Sequence, residues 1–199
     1  TIAKRHHMRC AYVLLIDRAG LECPARVSAH LFRRTDPESH VVVLAPPGLP
    51  IHVPGAIVKY VKRTAYVGTG SWRNTFMKLR AVELNEYDRV MIADLDLLPL
   101  SSARHLFSYA PTHTIAAPRA YWLGQPFLAS GGPLVMRPNP VLQLRFKDAL
   151  DGSRKRKFPG EMDWVNQEFG KDAVYLDGFE TLLNGEFVPG DAVFGFWSR

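Results

Sequence analysis

The sequence predicts an α/β fold, a mainly parallel sheet flanked by helices, and three observations lead there. Short continuous apolar runs recur along the chain, among them Tyr12-Val13-Leu14-Leu15-Ile16, Val41-Val42-Val43-Leu44 and Val90-Met91-Ile92-Ala93. Runs without polar alternation suit strands covered on both faces, as in a sheet layered between helices. Stretches with apolar residues three and four apart separate those runs, the pattern of amphipathic helices. A hydrophobic content of 47% over 199 residues is enough to bury one real core.

Each element follows in order. The first strand covers Tyr12 to Ile16, and Pro24 then opens a helix to Arg34 with Ala25, Ala29 and Phe32 near one face. The second strand, Val41 to Leu44, is closed by Pro46-Pro47-Gly48, and residues 57–61 give a weaker third strand. After the turn cluster Gly68-Thr69-Gly70-Ser71, the spacing of Phe76, Leu79, Val82 and Leu84 predicts an α-helix over 74–86. Val90 to Ala93 is the next strand, and Ser101 or Ser102 is placed to cap a short helix through Phe107. Short strands at 114–117 and 134–136, helices at 140–149 and 162–169, and an extended segment at 173–176 complete the pattern. From Gly185 onward little periodicity remains, and no element is predicted.

Composition narrows the function classes. Cys10 and Cys23 stand apart with no Cys-x-x-Cys or Cys/His spacing, which argues against a disulfide-stapled or zinc-held fold. No apolar run approaches the roughly 18 residues that a membrane helix needs. The first residue is Thr1 rather than Met, so a trimmed N-terminus is expected: a Golgi lumen location if an anchor was removed, the cytoplasm otherwise. The net charge of +6 suits an anionic partner, and it concentrates in a basic segment over 1–10 and in Arg154-Lys155-Arg156-Lys157. The second run follows the loop signal Asp151-Gly152-Ser153 and reads first as a solvated loop, second as a binding patch.

The sharpest local feature is Ile92-Ala93-Asp94-Leu95-Asp96. In an extended segment, acids at i and i+2 point to the same side. At the end of a buried strand they face the region where open α/β sheets gather ligands. Two such carboxylates repel unless a cation lies between them, and hard Mn²⁺ or Mg²⁺ also takes diphosphate oxygens. The plain alternative is a pair of acids solvating the turn toward Pro99.

The flanking sequence gives the pair a context. From Lys78-Leu79-Arg80, through Leu84-Asn85-Glu86-Tyr87-Asp88-Arg89 and the acidic pair, to Leu106-Phe107, the chain resembles the glycogenin-like family, glycosyltransferase family 8. Phe127 to Pro138, the segment Gly160-Glu161-Met162-Asp163-Trp164-Val165-Asn166, and Leu182-Leu183-Asn184 are similar to later family segments.

The resemblance implies a GT-A fold, with residues 11–199 as a single nucleotide-sugar-binding domain, and transfer of a sugar from a UDP-sugar with retention. Its acceptor would be a glycan, lipid or protein. Asp94 and Asp96 would hold the metal, and Lys78 would add positive charge at the phosphates or the sugar. Tyr12, Leu15 and Ile16 would lie near the uracil ring, and Ala93 near the nucleotide. Ser130, Gly131 and Gly132 would stand where the family contacts the sugar. Of the two acids Glu161 and Asp163, Asp163 is slightly favoured to face the sugar, although acids in a helix's first turn need no further role.

The departures from the family are specific. Ser130 stands in place of an Asn, Gly131 in place of a Ser and Met162 in place of a Gln, and no histidine follows His113 to complete the metal site. Truncation is the preferred explanation for the missing histidine. The alternative is a catalytically impaired relative that only binds a nucleotide or a partner. Arg119, Arg137 and the 154–157 run suggest an acidic sugar. A nucleic-acid-binding module is disfavoured, because the basic residues are not interleaved with aromatics and no known motif appears. A nucleotidyltransferase would want a glycine-rich loop after the first strand, where Asp17-Arg18-Ala19-Gly20 has one glycine.

Overall fold

The computed structural model describes residues 8–120, 127–153 and 155–176, together with the backbone of 194–196. In chain order the elements are β1 (Cys10–Leu15), α1 (Glu22–Thr35), β2 (His40–Ala45), β3 (Ile57–Tyr60), β4 (Tyr66–Val67), β5 (Arg89–Ile92), β6 (Leu97–Pro99), β7 (Ala116–Pro118), β8 (Leu134–Met136), α2 (Pro140–Asp151), β9 (Arg156–Lys157), α3 (Glu161–Phe169), β10 (Val174–Leu176) and β11 (Phe194–Phe196). Among the described residues three 3-10 helices, Gly70–Trp72, Thr75–Glu83 and Arg104–Tyr109, fill connections.

Among the described residues seven strands form the main sheet, in the order β10-β7-β8-β5-β1-β2-β3. β1 pairs in parallel with β2 and β5, β2 with β3, and β7 with β10. β8 alone in this sheet runs against its neighbours. That reversal delivers the loop preceding β8 to the same edge as the carboxyl ends of β1, β5 and β7. The predicted α/β sheet flanked by helices is therefore observed.

Alternation along β1 divides the core. Ala11 and Val13 face one layer, with Phe76, Leu79, Phe146, Trp164 and Phe169 from the covering helices. Cys10, Tyr12 and Leu14 face the other, with Phe32 of α1 and Phe107. Both layers are fully buried at their centres, as a sheet covered on two faces requires. No helix among the described residues is long and apolar enough to cross a membrane.

Three expectations need correction. The 74–86 segment is a 3-10 helix over Thr75–Glu83 rather than an α-helix, and Phe76 to Val82 are all buried. No single apolar stripe is needed when every side of a segment is covered. The short element before Phe107 is likewise 3-10 and begins at Arg104; Ala103 takes the N-cap position, and Ser102 Oγ, one residue earlier, accepts the Arg104 N–H at 3.4 Å. Within the unassigned tail, Phe194–Phe196 pairs antiparallel with β6 and so returns to the loop that follows Asp96. The segments 1–7 and Leu182-Leu183-Asn184, and Arg154, lie outside the described residues.

Candidate functional site

Asp94 lies just past the end of β5 at the carboxyl edge, where β1 also ends, two residues before Asp17. The next residues do not stay extended. Leu97 N–H donates to Asp94 O at 3.0 Å, closing a turn over 94–97. The i, i+2 geometry of an extended pair therefore does not hold for Asp94 and Asp96. Asp96 is exposed at the tip of that turn, while Asp94 keeps 40% of its side chain accessible.

The 3-10 helix carries Lys78 to the same place. Its ammonium lies 2.9 Å from Asp94 Oδ1 and 2.6 Å from Glu161 Oε1, with only 3% of the side chain exposed. Two residues along a 3-10 helix lie about 120° apart around its axis, so Lys78 and Arg80 leave on different faces. Arg80 turns away and donates to the carbonyls of Lys62 and Leu150 and to Glu83 and Asp151.

Glu161 comes from the first turn of α3 and is 6% exposed. Ser130 Oγ donates to its Oε1 at 2.9 Å. Ser130 is itself 1% exposed, in the loop that β8's reversed direction brings to this edge. Gly131 follows, and a Cβ there would sit 2.5 Å from Asp94 Oδ2. Only a residue without a side chain leaves that carboxylate oxygen its position. At Gly132 a Cβ would meet Pro118 Cγ at 2.9 Å, so this glycine lets the loop pack on β7.

Electrostatics follow from burial and pairing. Burial opposes the Lys78 charge, but Asp94 and Glu161 together hold its pKa above the usual lysine value. Glu161 is buried as well, yet Lys78 and the hydrogen bond from Ser130 hold its carboxyl down to about 2. For Asp94, burial pushes the carboxyl up to about 6 even though part of the side chain reaches solvent; Lys78 draws it down and the Glu161 charge raises it. Lys78 and Glu161 thus form an ionised pair under Asp94.

The predicted residues divide clearly. Lys78, Asp94, Glu161, Ser130 and Gly131 are brought together. Asp163 is not part of the cluster: its Oδ2 accepts the Gly160 N–H at 2.8 Å and caps α3. Of the two acids, Glu161 stands in the cluster and Asp163 at the cap of α3. Tyr12, expected near a uracil ring, is fully buried, stacks on Phe32 at 4.3 Å between centroids and donates to Asp36 Oδ2 at 2.9 Å. Ile16 is fully buried in the same layer, and Ala93 is 1% exposed. Leu15 is partly buried against the opposite layer. Arg137 follows β8 at the far edge, beside Arg89, because the strand is reversed, so it does not face the cluster. Arg119 lies over the Tyr175 ring at 4.5 Å.

Two contributors escaped the sequence reading. Asn166 Oδ1 accepts from Leu128 N at 2.6 Å and its Nδ2 donates to Leu128 O at 2.9 Å, tying α3 to the loop that carries Ser130. Asp17, 7% exposed, accepts from Asn74 Nδ2 at 3.1 Å and joins the end of β1 to the start of the 3-10 helix. A lone amide in a helix offers no signal of such a clamp.

The donor set suits a cation only in part. Among the described residues no group of three or more His, Cys, Asp or Glu converges on a metal position. Asp94 and Asp96 are the acids nearest one another at this edge in sequence. A hard divalent ion that keeps waters and shares diphosphate oxygens asks for no more than one or two carboxylates. Asp94 and Asp96 meet that number by residue type and do not form an all-protein cage.

Comparison with known proteins adds the class of fold. Residues of this chain superpose on the glycosyltransferase GlyE of Streptococcus pneumoniae TIGR4 with a TM-score of 0.59 and 16% identity, covering 85% of this chain and 45% of that one. Galactosyltransferase LgtC, solved with donor and acceptor sugar analogues, aligns with a TM-score of 0.56 and 15% identity, over 83% and 72% of the two chains. Mouse xyloside xylosyltransferase 1 gives 0.51 and 15% over 85% and 86%. The fold is that of the GT-A glycosyltransferases.

In sequence, the chain is 36% identical over 137 residues to glucose N-acetyltransferase 1 of Aspergillus fumigatus, which is 62% of this chain and 35% of that protein. It is 42% identical over 53 residues to the protein of the same name from Gibberella zeae, 27% and 12% of the two lengths. The chain thus spans about a third of the first relative's length and less of the second. No family model matches it.

Proposed function

We propose that the chain is the donor-binding part of a family 8-like glycosyltransferase that takes a sugar from a UDP-sugar with retention and hands it to a glycan, lipid or protein. The observation that carries this reading is Asp94 at the end of β5, held by a buried Lys78–Glu161 pair beneath Gly131. Asp94 and Asp96 would hold Mn²⁺ or Mg²⁺. When bound, such an ion supplies charge neutralisation at a departing diphosphate.

The chain's own residues supply position and charge. Glu161, itself held by Ser130, fixes the Lys78 ammonium, so it meets a developing negative charge without first reorganising. The glycine at 131 leaves room for a ligand to approach Asp94 by its second oxygen. Sugar-hydroxyl recognition would fall to Ser130, Glu161 and the backbone of Gly131 and Gly132. Loss of the amide side chain there leaves fewer donors than family 8 members carry.

A second reading is acetyl transfer to a sugar, favoured by the two sequence relatives, both glucose N-acetyltransferase 1 by name. Isothermal titration of UDP with and without Mn²⁺, on this chain and on Asp94→Ala/Asp96→Ala, tests the first reading. Binding that requires both the metal and the acids supports it. If acetyl-coenzyme A binds and UDP does not, the glycosyl reading is wrong.

A further inference from the structure

A second concavity lies apart from the acidic cluster. It has a volume of about 720 Å³ and opens between residues 63–67, the start of the Thr75–Glu83 helix and the loop after α2. That volume falls in the range of small-molecule sites, roughly 300–1,000 Å³. Lys78, Asp94, Ser130 and Glu161 do not line it.

Its charge is lopsided. Arg63, Arg73 and Lys155 line the cavity against one acid, Asp151. Asp151 is already answered, since its Oδ1 accepts from Arg80 Nη2 at 2.7 Å. Arg63 spends one N–H on the neutral Asn74 Oδ1 at 2.7 Å. Among the described residues Arg73 and Lys155 form no ion pair. Three cations lining one cavity repel each other, and they gain most from an anion placed among them. Thr64, Asn74 and Ser153 add hydrogen-bonding groups to the same lining.

We propose that this cavity binds an oxyanion-bearing small molecule, a phosphate or carboxylate carried on a body of about sugar size. The planar guanidinium groups of Arg63 and Arg73 suit the paired oxygens of either group, and Lys155 adds a point charge. The volume exceeds what a bare phosphate ion fills. The basic run at 154–157 then contributes to a site through Lys155 instead of only solvating a loop. This inference stands independently of the donor reading.

The test is calorimetric titration of the chain with glucose 6-phosphate, glucuronate, inorganic phosphate and neutral glucose. The same titrations are run on Arg73→Glu/Lys155→Glu and on the milder Arg73→Gln/Lys155→Gln. Both positions are exposed, so folding is expected to persist. Saturable binding of at least one anionic sugar, weakened about tenfold or more by charge reversal and less by neutralisation, is the expected result. The arm that binds tighter assigns phosphate or carboxylate. Equal binding by neutral glucose, equal binding by the reversed variant, or no saturable binding of any anion would overturn the proposal. UDP titrated in parallel separates the two sites, because its affinity should not change in the reversed variant.

Discussion

Lys78 holds its charge in a place where burial alone would remove it. Its side chain and that of Glu161 are 3% and 8% exposed, so Lys78 is the main compensation of Glu161, while Asp94 and Glu161 together compensate Lys78. Lys78→Met should therefore cost about 3 kcal/mol, most of it from the stranded carboxylate. Lys78→Met/Glu161→Gln should recover much of that loss in thermal unfolding; a double variant no more stable than the single would show that the pair is not coupled. The pH dependence follows from the same pair. Glu161 titrates at about 2 in the fold against an ordinary value of 4.5, so its contribution is complete above the ordinary value. It is lost as pH falls through the window between them. The stability gap between the natural chain and Glu161→Gln should be flat near neutrality and close over that acid range, as read by denaturant unfolding at several pH values. Lys78 and Asp94 were legible in the sequence because a motif and a run of apolar residues located them. Which of Glu161 and Asp163 joins them was not, since one turn of helix separates a buried partner from a cap.

Strand positions were the most readable elements, because a strand covered on both faces leaves a continuous apolar run. The direction of β8 was not readable: a three-residue strand looks the same in either sense. Yet that reversal is what places Ser130 and Gly131 beside Asp94 and sends Arg137 to the far edge. The winding of Thr75–Glu83 was also hidden, since a segment buried on every side carries no stripe to measure its period. At α3 the cap and the site divide neatly between two acids. Asp163→Ala removes the side-chain acceptor for Gly160 N–H and should cost about 1 kcal/mol. UDP affinity should hardly move in that variant; a loss comparable to that of Asp94→Ala would place Asp163 in the binding machinery after all.

At the scale of the whole molecule, the cluster draws on parts far apart in the chain: Lys78 from the 3-10 helix, Asp94 from β5, Ser130 from the loop before β8 and Glu161 from α3. Asn166 and Asp17 tie those parts to the loop and to β1. Unfolding any of them dismantles the site, so a ligand that binds there binds the native state and not the unfolded chain. Such linkage stabilises by about 2.7 kcal/mol at a ligand concentration of roughly 100 times its dissociation constant. For a domain of this size, each kcal/mol moves the melting temperature by about 2–4 °C. UDP with Mn²⁺ at that excess should therefore raise the Tm by roughly 5–10 °C, measured by calorimetry, while Asp94→Ala/Asp96→Ala should show almost no shift. A shift of equal size in the double variant would mean that UDP is held elsewhere, and the carboxyl end of β5 would lose its claim as the donor site.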